Sequence, residues 1–183
     1  IQTQEFISLA EKNIVGINQN TFQIKFIKTT GDIHNSERLD KIGGKGLFVK
    51  EIESHILKGD IDIGVHSMKD MPATSHHELE IFCLMNRLDS SDVLISNNGK
   101  TLSSLDSGAV IGTSSIRRRA QILNVRSDLK IKLLRGNVDT RMKKLKNREY
   151  DAIILAYAGL KRLGMEEEIT EILDHRIFLP AGG

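Results

Sequence analysis

Hydrophobic and polar positions along this chain follow two periods, and segments of the two kinds alternate. Residues 46–57 place Phe48, Val49, Ile52 and Ile56 on one helical face. Phe22–Ile27 alternates as a half-buried strand does, and Ile61–Val65 is typical of a strand that enters a loop at His66. The pattern predicts strands also near 79–85, 92–96, 108–112, 129–134 and 151–156, and helices over 2–13, 46–57, 114–124, 137–147 and 166–173.

Strands that alternate with helices predict an α/β protein built from βαβ units around a mainly parallel sheet. The polar stretch Asn86–Asp92 falls between two strand patterns and is the best hinge candidate. It divides a first domain, 1–86, from a second, 87–179. Ligands of open α/β sheets bind beyond the carboxyl ends of the strands, so the loops 66–72, 112–118 and 134–141 are expected to line a cleft between two lobes.

Positive charge is concentrated in one part of the sequence. Between Arg117 and Arg148 there are twelve Lys or Arg residues against Asp128 and Asp139, a local charge of +10 in a chain whose total is +2. Such a field requires an anionic partner, whereas the balanced total argues against general adhesion to polyanions.

Candidate anion-binding residues lie at predicted turns and helix starts. Gly43-Gly-Lys45-Gly46 precedes a helix, where backbone N–H groups and Lys45 can approach an anion, although a flexible turn explains these glycines equally well. Thr113, Ser114 and Ser115 offer hydroxyls and N–H groups at a helix start. Arginine forks suit carboxylates or phosphates, and the candidates are Arg117, Arg118, Arg135 and Arg141.

The basic block also contains residues with a simpler interpretation. Consecutive helical positions are about 100° apart, so one of Arg117, Arg118 and Arg119 is expected to face elsewhere. Lys143, Lys144, Lys146 and Arg148 are typical of a solvated helix face. Arg162, outside the block, either contributes to the cleft or ends a helix.

The loop Val65–Pro72 follows a predicted buried strand. On an extended loop the adjacent side chains of Lys69 and Asp70 point to opposite sides, one able to bind an anion and the other to handle a proton or a developing cation. A solvated surface pair is the simpler alternative. Cys83 is predicted to be a buried strand residue, and a single cysteine fits a reducing cytoplasm. No apolar run approaches the roughly 20 residues of a membrane span.

Five segments in order resemble the hydroxymethylbilane synthase (porphobilinogen deaminase) family. They are Lys41–Glu51, His66–Pro72, Gly112–Arg118, Leu134–Arg141 and Tyr150–Ala156, and the similarity covers nearly the whole chain. The resemblance implies a three-domain enzyme whose first two domains resemble type II periplasmic binding proteins. It implies head-to-tail joining of four porphobilinogen molecules, with loss of ammonia, to give hydroxymethylbilane.

The resemblance also implies roles for residues. Asp70 matches the catalytic aspartate of the family. In the family a cysteine of the third domain holds a dipyrromethane cofactor. The positions that match the family's cofactor-binding residues are Ser67, Lys69, Lys45, Thr113, Ser114, Ser115, Arg117, Arg118 and Arg135. Arg141 and Arg162 match its substrate-binding residues. The implied partners are porphobilinogen and the growing polypyrrole, with neither nucleic acid nor membrane, and the implied state is a monomer.

Compared with the family pattern, three parts are missing. The family has a strand and an Arg/Ser loop before its first helix, a Gly-Gln-Gly continuation into the first domain after the segment at 180–183, and the third domain. Cys83 does not match the cofactor cysteine. The chain as written is therefore expected to carry no attached cofactor and to be inactive.

Two other functions are compatible with parts of the pattern. A nucleic-acid-binding module would use the basic block, but residues 112–148 contain no aromatic side chain on which bases could stack. A non-catalytic protein that binds small anions with the same two-lobed fold would need the arginines and would not need Asp70.

Overall fold

The computed structural model describes residues 1–29, 49–74 and 76–182. The chain divides into two compact units, Ile1–Asn86 and Arg87–Gly182. Each unit has its own secondary structure.

The first unit contains two α-helices among its described residues, α1 over Gln2–Asn13 and α2 over Lys50–Leu57. The helix predicted over 2–13 is confirmed, as is the described part of the helix predicted over 46–57. A Cβ atom on Gly64 would lie 2.8 Å from Ile52 Cγ2 and 3.3 Å from Ile56 Cδ1. The segment around Gly64 therefore packs closely on the apolar face of α2, and glycine permits that approach.

The strands predicted over 22–27, 61–65 and 79–85 are wrong, because none of these segments pairs with another in the described residues. Alternation makes a segment suitable for a sheet, but a strand forms only with a neighbouring strand to accept its backbone hydrogen bonds. Apolar side chains of these segments remain in contact with solvent: Phe26 is 94% exposed, Phe82 64% and Leu84 73%. Cys83 is likewise exposed, so the prediction of a buried strand cysteine is also wrong.

The second unit is built on a five-stranded sheet with the order β3-β2-β4-β1-β5. Strand β1 is antiparallel to both of its neighbours, while β2 is parallel to β3 and β4. All strands except β1 consequently point the same way, which confirms a mixed, mainly parallel sheet. The strands span Asp92–Ser96 (β1), Val110–Gly112 (β2), Lys130–Lys132 (β3), Ala152–Ala156 (β4) and Glu171–Ile172 (β5).

Helices cover both faces of this sheet. They are α3 over Ile116–Val125, α4 over Val138–Lys146 and α5 over Tyr157–Arg162. Because side chains alternate along β4, Ile154 joins a core cluster with Ile122 of α3, whereas Ile153 joins a second cluster with Leu145 of α4 and Leu160 of α5. The result is a three-layer α/β/α unit with two apolar cores.

The helix predicted over 166–173 is wrong. Glu166–Glu168 forms one 3₁₀ turn, and Glu171–Ile172 then joins the sheet as β5. The side chain of Thr170 accepts a hydrogen bond from the Ser96 N–H at 3.0 Å, which fixes this segment beside β1. Pairing with the exposed edge of β1 outweighs the helical preference of the glutamates.

Within the part of the chain that the structure describes, no helix combines the length and the apolar character needed to cross a bilayer.

Candidate functional site

The loops of the second unit that were predicted to bind an anion start from one edge of its sheet. Strands β2, β3 and β4 are parallel, so Gly112, Lys132 and Ala156 end at that edge. The amino end of antiparallel β1 lies there too, because Asp92 is paired with Ala156. Helices α3 and α4 begin a few residues beyond β2 and β3, so their amino ends open at the same side.

Both helix starts are capped by side chains. The Ser115 hydroxyl accepts a hydrogen bond from the Arg118 N–H at 3.4 Å, and Asn137 Oδ1 accepts one from the Thr140 N–H at 2.8 Å. Thr113 is buried, and its hydroxyl accepts from the Ser115 N–H at 3.2 Å. The half-buried Ser114 lies between them. The remaining free N–H groups and the positive ends of two helices favour an anion here.

Two glycines give the loops their shape. A Cβ atom on Gly112 would lie 2.8 Å from Tyr150 Cδ1 and 2.9 Å from Leu134 Cδ2. Gly136 has a φ of +111°, outside the range that other residues favour, and its carbonyl accepts a hydrogen bond from Arg141 Nε at 2.7 Å. Arg141 is thereby fixed against the turn that carries Arg135.

Arg118 is held by a residue that the sequence reasoning did not single out. Its Nη2 donates to Asp92 Oδ1 at 2.7 Å, and its Nη1 donates to the Ile154 carbonyl at 3.0 Å. The Asp92 side chain is 3% exposed and that of Arg118 11%. The sequence did offer a sign of this role, because Asp92 is an acidic residue directly before the apolar run Val93–Ile95. The polar stretch that ends at Asp92 favoured instead the interpretation of this segment as a hinge.

Arg117 contacts the other oxygen of the same carboxylate. Its Nη1 forms an ion pair with Asp92 Oδ2 at 2.7 Å, and it donates hydrogen bonds to Gln121 Oε1 at 3.2 Å and to the Leu179 carbonyl. Arg119, the third arginine of the run, is exposed. The expectation that one of the three would face elsewhere is therefore confirmed, and the other two converge on one buried carboxylate.

Arg118, Arg135 and Arg141 form a cluster of like charges, which we call the arginine cluster. Arg135 is only 8% exposed. The pKa of Arg141 lies below the ordinary value for arginine because burial disfavours the charged form and because Arg118 and Arg135 repel it. Arginine nevertheless stays protonated, so the cluster concentrates positive charge in a place where water screens it poorly.

Other basic residues that the sequence pointed to are not among the charges that shift the pKa of Arg141. Lys143, Lys146 and Arg148 are exposed, as predicted for a solvated face, and Lys144 is half-buried. Arg162 is the last residue of α5.

The loop of the first unit that contains Lys69 and Asp70 is a tight turn. Met68–Asp70 forms a 3₁₀ helix, with the Asp70 N–H donating to the Ser67 carbonyl at 2.9 Å. The prediction of an extended loop is therefore wrong, because the chain closes this local hydrogen bond. Lys69 and Asp70 still diverge, since successive residues of a 3₁₀ helix are about 120° apart. The Ser67 hydroxyl donates to Gln2 Oε1 at 3.0 Å, which ties the turn to α1.

The two titratable groups of this turn have shifted pKa values. The pKa of Asp70 is raised because neighbouring atoms displace water from the carboxylate, an effect that Lys69 and then His66 oppose. The pKa of His66 is lowered by burial, which Glu53 and Asp70 oppose. Water still reaches part of Asp70, which moderates the shift in its pKa. A carboxylate that is easier to protonate than usual suits proton transfer.

Lys45 and its glycines lie outside the described residues. No group of three or more potential metal ligands occurs among the residues that are described.

Comparison with known proteins identifies the family. The family model described as "Porphobilinogen deaminase, dipyromethane cofactor binding domain" matches residues 1–183. This chain belongs to the porphobilinogen deaminase family. The resemblance inferred from the five sequence segments is therefore confirmed.

Curated relatives bear the same name. Porphobilinogen deaminase of Geobacillus sp. (strain WCH70) is 57% identical over 163 residues, which are 88% of this chain and 52% of that protein. Porphobilinogen deaminase of Exiguobacterium sp. (strain ATCC BAA-1283 / AT1b) is 53% identical over 165 residues, 90% of this chain and 54% of that protein. The chain thus spans about half the length of the curated relatives it matches.

Proposed function

We propose that residues 1–183 are the cofactor-binding part of a hydroxymethylbilane synthase, which joins four porphobilinogen molecules head to tail and releases ammonia. The observation that carries this proposal is the arginine cluster, where Arg118, Arg135 and Arg141 concentrate charge at the amino ends of two helices. Each pyrrole unit bears an acetate and a propionate. A chain of pyrroles therefore needs several guanidinium groups and free N–H groups in one place.

The residues present fit a dipyrromethane cofactor. The Nε atom of Arg118 is buried and has no hydrogen-bond partner within the described residues, although both of its Nη groups are engaged. A buried N–H donor of this kind calls for an acceptor, and a ligand carboxylate supplies one. Arg117, Arg135 and the hydroxyls of Thr113, Ser114 and Ser115 would hold the other acidic groups, with Ser67, Lys69 and Lys45 contributing from the first unit. The cofactor, when bound, would supply the anchor to which pyrrole units are added.

Asp70 is the proposed catalytic residue. Loss of ammonia from porphobilinogen leaves an electron-poor methylene-pyrrole cation, which a nearby carboxylate stabilises. The same carboxylate can accept a pyrrole N–H hydrogen bond and remove the proton from the coupled ring. Its raised pKa supports this second role because a carboxylate that binds a proton more readily than an ordinary aspartate is a stronger base. Arg141 and Arg162 are proposed to hold the acidic groups of the incoming substrate.

The arrangement of the whole enzyme is part of the proposal. We propose that the two units are lobes of the type found in type II periplasmic binding proteins, with domain boundaries at 1–86 and 87–179 and a return to the first domain at 180–183. The α/β/α layering of the second unit and its strand-end loops support it.

The test is turnover of porphobilinogen by the full-length gene product. Wild type should form hydroxymethylbilane and release ammonia, whereas Asp70→Asn should keep its cofactor, as judged by intact mass, and lose most of its turnover. Normal turnover by Asp70→Asn would contradict the catalytic role.

A non-catalytic anion-binding protein is the second candidate, because it would use the same arginine cluster; the match to the porphobilinogen deaminase family favours the synthase. Such a protein would bind porphobilinogen without consuming it, and its affinity would not depend on Asp70. Binding of an oligonucleotide with a steep salt dependence, and no binding of porphobilinogen, would instead indicate a nucleic-acid partner.

A further inference from the structure

Asp92 contacts both Arg117 and Arg118. It lies at the first position of β1, and its side chain is 3% exposed. Burial alone would raise its pKa, but Arg118 and Arg117 outweigh that effect, so the pKa of Asp92 lies below the ordinary value for aspartate. The carboxylate is therefore ionised at neutral pH, and each of its oxygens faces one guanidinium group.

The position of Asp92 follows from the reversed direction of β1. In a sheet whose other strands run the opposite way, only β1 presents its amino end at the edge where β2 and β4 finish. The residue at that end is thereby placed beside the first turn of α3, where Arg117 and Arg118 project.

The hydrogen bonds of Arg118 show what this contact accomplishes. Asp92 Oδ1 accepts a hydrogen bond from Nη2 at 2.7 Å, and the Ile154 carbonyl accepts one from Nη1 at 3.0 Å. Because these acceptors belong to β1 and β4, two strands of the sheet fix the plane of the guanidinium group. Among the described residues, Nε has no hydrogen-bond partner. A guanidinium group whose orientation is already fixed before the ligand arrives loses less conformational entropy when the ligand binds.

We propose that Asp92 is a positioning residue for anion binding: it orients Arg117 and Arg118 and leaves the Nε–H of Arg118 for the ligand. This inference rests on the proposed function for the identity of the ligand, but the orientation of the arginines does not depend on it. On this proposal Asp92 acts through the two arginines that it contacts.

Positioning and simple charge neutralisation predict opposite results. Asp92→Asn removes one negative charge beside the arginine cluster, which by Coulomb attraction alone would tighten the binding of an anion. If Asp92 positions the arginines, the same substitution weakens binding, because the amide NH₂ replaces an oxygen that faces one guanidinium group. The sign of the change therefore distinguishes the two roles.

The experiment measures porphobilinogen binding by calorimetry with the cofactor-free full-length protein and its variants, because the acetate and propionate of porphobilinogen are the acidic groups that Arg117 and Arg118 are proposed to hold on the cofactor. Asp92→Asn should bind about 10-fold more weakly than the parent. Asp128→Asn is the matched control, since Asp128 also pairs with an arginine, Arg126 at 2.7 Å, but is exposed. It should bind like the parent. Binding by Asp92→Asn that is equal or tighter would overturn the positioning role.

Two further measurements keep the inference testable. If Asp92→Asn does not fold, Asp92→Glu keeps the charge but moves it by one methylene group, and positioning again predicts weaker binding, whereas neutralisation predicts no change.

The guanidinium NMR signals of Arg117 and Arg118 report orientation without any ligand. In the parent they should show restricted rotation that is lost in the folded Asp92 variant, and unchanged signals would overturn the inference. A parent protein that does not bind porphobilinogen, but whose arginine signals depend on Asp92, would contradict the proposed function and support the positioning role.

Discussion

Asp92, the first residue of β1, pairs across the sheet with Ala156, the last residue of β4. This register brings the start of an antiparallel strand to the edge where the parallel strands end. A buried carboxylate consequently lies among the arginines of α3, where it contacts Arg117 and Arg118 at 2.7 Å each.

Turnover is expected to depend on pH through Asp70. The raised pKa of this carboxyl group means that it protonates at a higher pH than an ordinary aspartate, whose pKa is about 3.9. Since only the ionised form stabilises a cation, kcat of the full-length enzyme should fall as the pH drops through the raised pKa. The residual activity of Asp70→Asn should lack this acidic limb. Asp62→Asn, an exposed position nearby, should retain it, and an acidic limb that persists in Asp70→Asn would assign it to another group.

Asp70→Asn should not destabilise the fold at neutral pH. A carboxyl group whose pKa is raised by folding contributes stability below its unfolded pKa and loses that contribution as the pH rises. Replacement by a neutral amide removes a group that the folded state disfavours in its ionised form. The melting temperature at neutral pH should therefore match or exceed that of the parent, and a marked decrease would show that Asp70 has a structural role.

Arg141 and Lys143 offer a matched pair of charge deletions on α4. Arg141 belongs to the arginine cluster and Lys143 is exposed, yet each substitution by Gln removes one positive charge. Arg141→Gln should weaken porphobilinogen binding by about 10- to 100-fold, because a hydrogen bond to a charged group contributes roughly 1.5–3 kcal/mol. Lys143→Gln should change it by less than about twofold. Equal losses in calorimetric titrations would indicate that only the overall charge matters.

Gly112 and Gly159 should respond in opposite directions to alanine. A Cβ atom on Gly112 would overlap Tyr150, Leu134 and Ile153, so Gly112→Ala should lower the free energy of unfolding by about 1–3 kcal/mol. Gly159 lies inside α5 with nothing within 4 Å of its added Cβ. Gly159→Ala should raise the free energy of unfolding by roughly 0.5–1 kcal/mol. Urea denaturation followed by circular dichroism measures both, and a neutral Gly112→Ala would contradict the close packing at the end of β2.

The cap of α4 should separate stability from binding. Asn137→Ala removes the acceptor of the Thr140 N–H and should cost about 1 kcal/mol of stability. Asn137→Asp keeps the cap and should preserve stability, but its negative charge at the same helix start should weaken anion binding. Thermal melts and porphobilinogen titrations of both variants test this. An Asn137→Asp protein that binds as tightly as the parent would argue against an anion site at the start of α4.

The local pattern of the chain predicted much of the second unit. Strand 92–96, the helices near 114–124 and 137–147, and the loops that carry Arg118, Arg135 and Arg141 followed from periodicity and turn residues. These features depend on neighbours in the sequence, since capping residues and apolar spacing act within one or two turns. The same reasoning failed at 22–27 and 79–85, because a strand needs a partner that alternation cannot supply.

By itself, the sequence determined the family, the α/β class and the identity of the basic residues, because motifs in order and apolar periods are properties of the chain. Only the tertiary structure decided that Asp92 joins Arg117 and Arg118, and that the buried Nε–H of Arg118 has no partner among the described residues. Such contacts connect residues about 25 positions apart. They are fixed by the register and direction of strands, which depend on how the whole sheet is paired.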